Sequence, residues 1–258
     1  MIRSGLVSIT FRQLSPQEIV DLVVRAGLVG IEWGGDIHVP HGDLRRAREV
    51  RRMTQDAGLQ VAAYGSYYRV EHDDPVPFES VLATAVELGA PVVRVWAGTR
   101  GSAEADAAYR AEVVGLSRRI ADMAAGAGVT VAYEFHGGTL TDTNASARNL
   151  LEAVAHANVR SYWQPPRGSE VAYNLDGLDA VLPWLLHAHV FSWGAAGERL
   201  PLAASEEGWM QYLRKVASSG RDHFAMLEFV QDDAPESFLR DAVVLKKWLA
   251  RVNSSEEK

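Results

Sequence analysis

Apolar and polar positions along the chain alternate between two rhythms. Short runs rich in Val, Ile and aromatic residues predict strands. Longer stretches with apolar residues three and four apart predict helices. The junction between the two recurs as RAGLVGIEW (25–33), DAGLQVAAY (56–64), ELGAPVVRVW (87–96) and AGAGVTVAYE (125–134). HANVRSYW (156–163) and SGRDHFAMLE (219–228) are looser copies. The glycine in these junctions suits the left-handed position that ends a helix. A strand over 2–9 and another over 186–191 bring the strand count to eight. The first helix is announced by Ser15 as N-cap, Pro16 in the first turn and Glu18, followed by Ile19, Leu22, Val23 and Ala26 on one face. Helices are also predicted over 43–57, 78–88, 104–125, 144–156, 174–185, 205–218 and 236–251.

Strand alternating with helix through the whole chain implies parallel pairing. Eight such units in 258 residues match a (β/α)8 TIM barrel better than an open doubly wound sheet. No linker or composition break divides the chain, so one domain over 1–258 is expected, with a frayed polar tail at 253–258. A chain 47% hydrophobic and 23% charged is ordinary for a globular protein with a sizeable core. The net charge of -7 argues against a nucleic-acid binder, which usually carries a basic face. The basic run at 45–52 lies on an amphipathic helix and reads as a solvated face. The absence of cysteine excludes disulfides and thiolate metal sites. With no signal-peptide pattern at the start and no apolar run of ~20 residues, no membrane association is expected and a cytoplasmic location is the default.

In a barrel, chemistry belongs at the C-terminal ends of the strands. The stretch GVTVAYEFHGGTLTDT (128–143) stands out, because alternation puts Ala132, Glu134 and His136 on one face of an apolar strand. An ionised Glu there needs a metal, a cation or a substrate as partner. The same rule collects Glu32 and Tyr64 at the ends of strands 2 and 3, and Arg94 and Trp96 on strand 4. It adds Trp163 and Gln164 on strand 6, His187 and His189 on strand 7, and Glu228 after strand 8. Glu134, Gln164, a histidine of strand 7 and Glu228 would form an open site of oxygen and nitrogen ligands suited to Mn, Mg, Co or Zn.

These motifs resemble the sugar phosphate isomerase/epimerase superfamily, the xylose-isomerase-like TIM barrels. The resemblance is carried by YGSYY (64–68), VRVWAG (93–98), YEFHGGTLTD (133–142), YWQPP (162–166) and the His-Val of strand 7. It implies a divalent metal held by Glu134, position 164, His189 and Glu228, and reversible isomerisation or epimerisation of a small-molecule carbohydrate. Two departures accompany it. Position 164 is Gln where the family pattern has Asp, so a neutral oxygen replaces a charged one and the metal is held more weakly. Strand 7 continues Phe191-Ser-Trp193 where relatives carry Lys-Asp.

The resemblance implies proton abstraction next to a carbonyl, with Glu134 and Glu228 as base and acid. His136, Arg94, Trp96, Tyr64 and Trp163 are the expected substrate contacts. Arg94 serves equally as a barrel-interior partner for Glu32 or Glu134, and His187 reads as a core histidine. His38 and His41 would form a lid or stay in solvent. Trp209 and Tyr212 would either pack on the barrel or meet a second copy in a homo-oligomer. Competing readings are an inosose-type dehydratase, a non-catalytic sugar-binding barrel with an eroded metal site, and an endonuclease acting at abasic DNA, which the charge disfavours.

Overall fold

A computed structural model describes residues 1–71 and 74–254, so the last four residues of the expected frayed tail lie outside the described part. The strands are β1 (Ile2–Val7), β2 (Gly30–Gly34), β3 (Gln60–Arg69), β4 (Val92–Trp96), β5 (Thr130–Tyr133), β6 (Val159–Trp163), β7 (Leu185–Val190) and β8 (His223–Leu227). They alternate with α1 (Pro16–Ala26), α2 (Leu44–Asp56), α3 (Phe78–Leu88), α4 (Ala107–Gly126), α5 (Asn144–Val154), α6 (Val171–Val181), α7 (Glu206–Ala217) and α8 (Pro235–Asn253). Every strand pairs in parallel with its sequence neighbours, and β8 returns to β1, closing the barrel.

Local signals set the helix ends. In α1, Ser15 and Glu18 form a reciprocal capping box, Pro16 occupies the first turn, and Gly27 takes the left-handed conformation at φ 64°. Helix α6 stops at Val181 rather than continuing to 185. Pro183 lacks the N–H that helix continuation needs, and Trp184 already bonds back to Val181. Strand β1 stops at Val7, two residues early, because the Ser8 hydroxyl accepts from Gly34 N–H and bonds His38. The chain is thereby drawn off the sheet into a short 3-10 turn.

The main core lies between the strands and the surrounding helices, and a smaller cluster fills the barrel itself. Glycines admit that inner filling. A Cβ on Gly30 would stand 2.5 Å from the Phe224 ring, and one on Gly5 2.9 Å from Met226 Cγ. Phe224, Met226, Tyr162 and Val92 thus plug the lower barrel, and the polar groups sit above them. Trp209 and Tyr212 of α7 are buried against Trp163, so these aromatics pack on the barrel rather than forming an exposed face. The basic run of α2 is held at the surface by Arg45–Glu49 and Arg48–Glu87 pairs.

Candidate metal centre and catalytic cavity

Five ionisable side chains meet at the top of the barrel, nearly out of reach of solvent. Glu32 and His189 are 0% exposed, Arg94 1%, Glu228 3% and Glu134 4%. Arg94, on β4, lies between two carboxylates. Its Nε donates to Glu32 Oε1 at 2.6 Å, and its Nη1 donates to Glu134 Oε2. The same Glu134 oxygen accepts from Trp96 Nε1 at 2.5 Å, while Gln164 Nε2 donates to Oε1 at 3.3 Å. Room for the guanidinium comes from Gly65 on β3, where a Cβ would stand 2.7 Å from Arg94 Nη2 and 2.8 Å from Glu32 Oε1. Although β5 ends at Tyr133, Glu134 keeps its register because its N–H still bonds Val95 O.

His189 is oriented from behind. Its Nε2 is 3.4 Å from Glu32 Oε2, which directs an N–H at that carboxylate and, in the neutral ring, leaves the Nδ1 lone pair facing the other way. Nδ1 lies 3.4 Å from Glu134 Oε1 and 3.5 Å from Glu228 Oε2 without a hydrogen-bond partner. Glu228 Oε2 and Gln164 Oε1 are likewise buried and unpartnered. The Gln164 amide is fixed in that sense, since its Nε2 donates to Phe135 O at 2.7 Å. Glu134, His189 and Glu228 each offer a ligand atom within 4.8 Å of the others.

These orphaned atoms fit a divalent cation. Buried acceptors without donors are costly, and here three of them come from successive strands β6, β7 and β8 or the residue just beyond. Charge gives the same answer. Three buried carboxylates and one guanidinium leave two uncompensated negative charges, which one divalent ion cancels. Without it, protons do the work. Burial by itself would lower His189, but Glu228 and Glu32 override it and hold the imidazolium up to about 10. Burial, reinforced by the charge on Glu134, pushes Glu228 up to about 7 against the pull of His189. Glu32 resists burial through Arg94 and His189 and falls to about 2, and Glu134 is lowered in the same way, chiefly by Arg94.

Above this cluster opens a cavity of about 550 Å³. It is lined by Glu134, Glu228 and Gln164, and by three of the expected substrate contacts, Arg94, Trp96 and His136. His136 stacks on Trp96 with ring centroids 4.3 Å apart. Arg94 reaches the cavity already paired with two carboxylates, which takes it away from the role of a free anion clamp. The other two expected contacts are elsewhere. Tyr64 points out of the barrel, where its hydroxyl donates to Val39 O at 2.8 Å and bonds His41 Nδ1 at 2.7 Å. Trp163 packs against Trp209 and Tyr212, between barrel and α7. Both sit one residue out of phase with the inward positions, Gly65 and Gln164. His38 is buried on Ser8, and with His41 it pins the loop after β2 to the barrel. His187 is a satisfied core histidine, its Nδ1 accepting from Phe224 N–H at 3.0 Å.

Other features were missed from the chain alone. Glu32 was visible as a strand-end acid, but its hold on His189 spans 157 residues and has no local signal. The cavity wall also includes Tyr67 and Phe229, both non-glycine residues at positive φ (57° and 54°) just where β3 and β8 open to the mouth. Such backbone costs roughly 1–3 kcal/mol per residue and gathers at sites where side chains must be aimed. Arg12 joins this wall, bonded to Asp36 and to Tyr67 Oη.

The chain belongs to the xylose isomerase-like TIM barrel family, whose profile matches residues 20–247. Among characterised relatives, a 3-dehydroshikimate dehydratase of Bacillus anthracis is 26% identical over 95% of this chain and 96% of its own. The crystal structure of the probable 3-DHS dehydratase AsbF of Bacillus anthracis superposes with a TM-score of 0.77 at 24% identity, covering 95% of this chain and 99% of that one. A xylose isomerase-like TIM barrel protein of Mycobacterium smegmatis, solved in complex with magnesium, gives 0.72 at 17% identity over 97% of each chain. A D-psicose 3-epimerase solved in the presence of D-fructose gives 0.70 at 16% identity, over 95% and 98%.

Proposed function

We propose that this protein is a metal-assisted lyase that removes water from a small polyhydroxylated carbonyl compound. One observation carries the choice of elimination over epimerisation: the two site carboxylates are unequal. Glu134 accepts hydrogen bonds from Arg94, Trp96 and Gln164, whereas Glu228 accepts none among the described residues. Epimerisation by two opposed groups needs both to exchange protons, and three donors on one carboxylate hold it ionised and poorly basic. Elimination needs one mobile group. The dehydratase named among the relatives supports the same reading.

His189, Glu134, Glu228 and the Gln164 carbonyl would hold the ion, which supplies a Lewis acid for the substrate carbonyl. Glu228 takes the proton from the carbon beside that carbonyl. The electron pair left behind moves toward the carbonyl and returns to form the C=C bond as the β-hydroxyl departs. Glu228 returns the proton to that hydroxyl, so water leaves and the carboxylate is regenerated. Arg94 and Trp96 keep Glu134 charged and fixed. Trp96 and His136 offer their stacked rings as a wall beside the substrate.

The test is incubation of manganese-loaded protein with 3-dehydroshikimate and with D-fructose in D2O, followed by NMR. Wild type is expected to release water from the first compound, and Glu228→Gln to lose this by at least about a hundredfold with its fold retained by circular dichroism. Inversion of the ketose without any elimination would restore the epimerase reading. Undiminished dehydration by Glu228→Gln would remove Glu228 from its role.

A further inference from the structure

Three arginines line the cavity, and their pairing separates them. Arg12 is bonded to Asp36, and Arg94 to Glu32 and Glu134. Arg167 has no carboxylate partner among the described residues. It is nevertheless held in place. Pro165 and Pro166 stiffen the segment after β6, and Ser169 closes a tight turn onto Pro166 O through both its N–H (3.3 Å) and its hydroxyl (2.6 Å). Gly168 supplies the positive φ of 72° that the third position of the turn requires. Arg167, second in that turn, lays its guanidinium over the Trp193 ring at 3.9 Å. Trp193 comes from the hairpin at 192–200, tied by Gly194 N–H to Glu198 O and Leu200 N–H to Ser192 O. An arginine stacked on an indole keeps its N–H edge free for a planar anion.

We infer that Arg167, stacked on Trp193, binds a carboxylate carried by the substrate, which makes the substrate a hydroxylated carbonyl acid rather than a neutral sugar. The inference deepens the dehydratase reading and rests on it for the position of the reacting carbons beside Glu228. Geometry allows both ends to be held together. Arg167 follows Gln164 by three residues, so their backbones are at most about 10 Å apart, a span a six-membered ring acid with a long guanidinium arm fills. A carboxylate fits better than a phosphate, because one unpaired guanidinium matches one charge while Arg12 and Arg94 keep their own acids. Arg167 supplies a cation to the same cavity from the neighbouring loop.

The probe is shikimate, a hydroxylated ring with one carboxylate, set against its methyl ester and titrated calorimetrically into manganese-loaded protein. Wild type is expected to bind the acid tighter than the ester by on the order of tenfold or more. In Arg167→Gln the ratio should fall to near one with ester affinity unchanged, and Arg167→Lys should restore part of it. Because Arg167 is exposed, both variants are expected to melt with wild type. Equal binding of acid and ester by wild type, a preference that survives in Arg167→Gln, or no binding of either compound would each overturn the inference, as would tighter binding of fructose 6-phosphate than of shikimate. Binding here needs no turnover. Lost dehydration with an intact acid preference would fail the reaction and leave the anion site standing.

Discussion

At the residue scale, Glu32 does more than its position suggests. It touches no substrate-lining surface, yet it holds both Arg94 and the Nε2–H of His189, at 2.6 and 3.4 Å. A carboxylate behind a ligand histidine fixes the tautomer and raises its basicity. Glu32→Gln is therefore expected to lower manganese affinity by about 10–100-fold, read by calorimetry, while Glu134 and Glu228 remain in place. Affinity equal to wild type would show that His189 orients itself. The reason the sequence points to Glu134, His189 and Glu228 but not to this role is physical. A strand-end acid is legible from alternation, but its partner is chosen by barrel closure. Gln164 shows the complementary case: its departure from Asp is plain in the chain, and only the structure reveals that its amide nitrogen is taken by Phe135 O and its oxygen left free.

At the scale of elements, the strand–helix alternation and the glycine junctions were sufficient to read eight units, because both depend on neighbours a few residues apart. Element ends were legible where a cap or a proline sets them, as at Ser15 and Gly27 of α1. They were misread where a tertiary bond does, as at Ser8, whose hydroxyl reaches across to β2. The same distinction explains Tyr64 and Trp163, two of the expected substrate contacts. Strand phase, shifted by an irregularity between Ile31 and Glu32 in the β2–β3 pairing, turns Tyr64 outward instead. One element end is built against its residue type. Ala155 caps α5 in the left-handed conformation (φ 46°, ψ 44°) at an exposed position. Ala155→Gly is expected to stabilise the protein by roughly 0.5–1 kcal/mol, seen as a higher urea midpoint at constant m-value. A lower midpoint would mean that chain entropy outweighs the relief of strain.

At the scale of the whole molecule, protonation of the interior sets how the metal-free protein meets acid. Burial lowers His187 to about 3, and it also lowers His38, His41 and His223. A histidine with a folded pKa below its unfolded value contributes stability above the unfolded pKa, and that stability is lost as pH falls. His187, fully buried, removes up to about 1.4 kcal/mol per pH unit below ~6.5, and the three less deeply buried histidines remove less because water screens them. Glu228, raised to about 7, works in the opposite direction between there and its unfolded value, since the folded state takes the proton first. Stability is thus expected to decline from pH 6.5 to 5, and to decline more steeply in metal-free Glu228→Gln. Urea titrations at several pH values check both, and a flat profile in the variant would contradict the burial argument.

No helix among the described residues is long and apolar enough to cross a membrane, and the wall of the cavity has two separable origins. The charge cluster hangs from strand ends and is locked by a closed sheet, whereas the Arg167–Trp193 stack is borrowed from a tight turn and the hairpin at 192–200. On the proposed reading, reaction and substrate choice are therefore written in different parts of the backbone. A designer can exchange the hairpin for one of another length or charge and re-aim the mouth at a new molecule, with the acid, base and ligand geometry beneath it left as it stands.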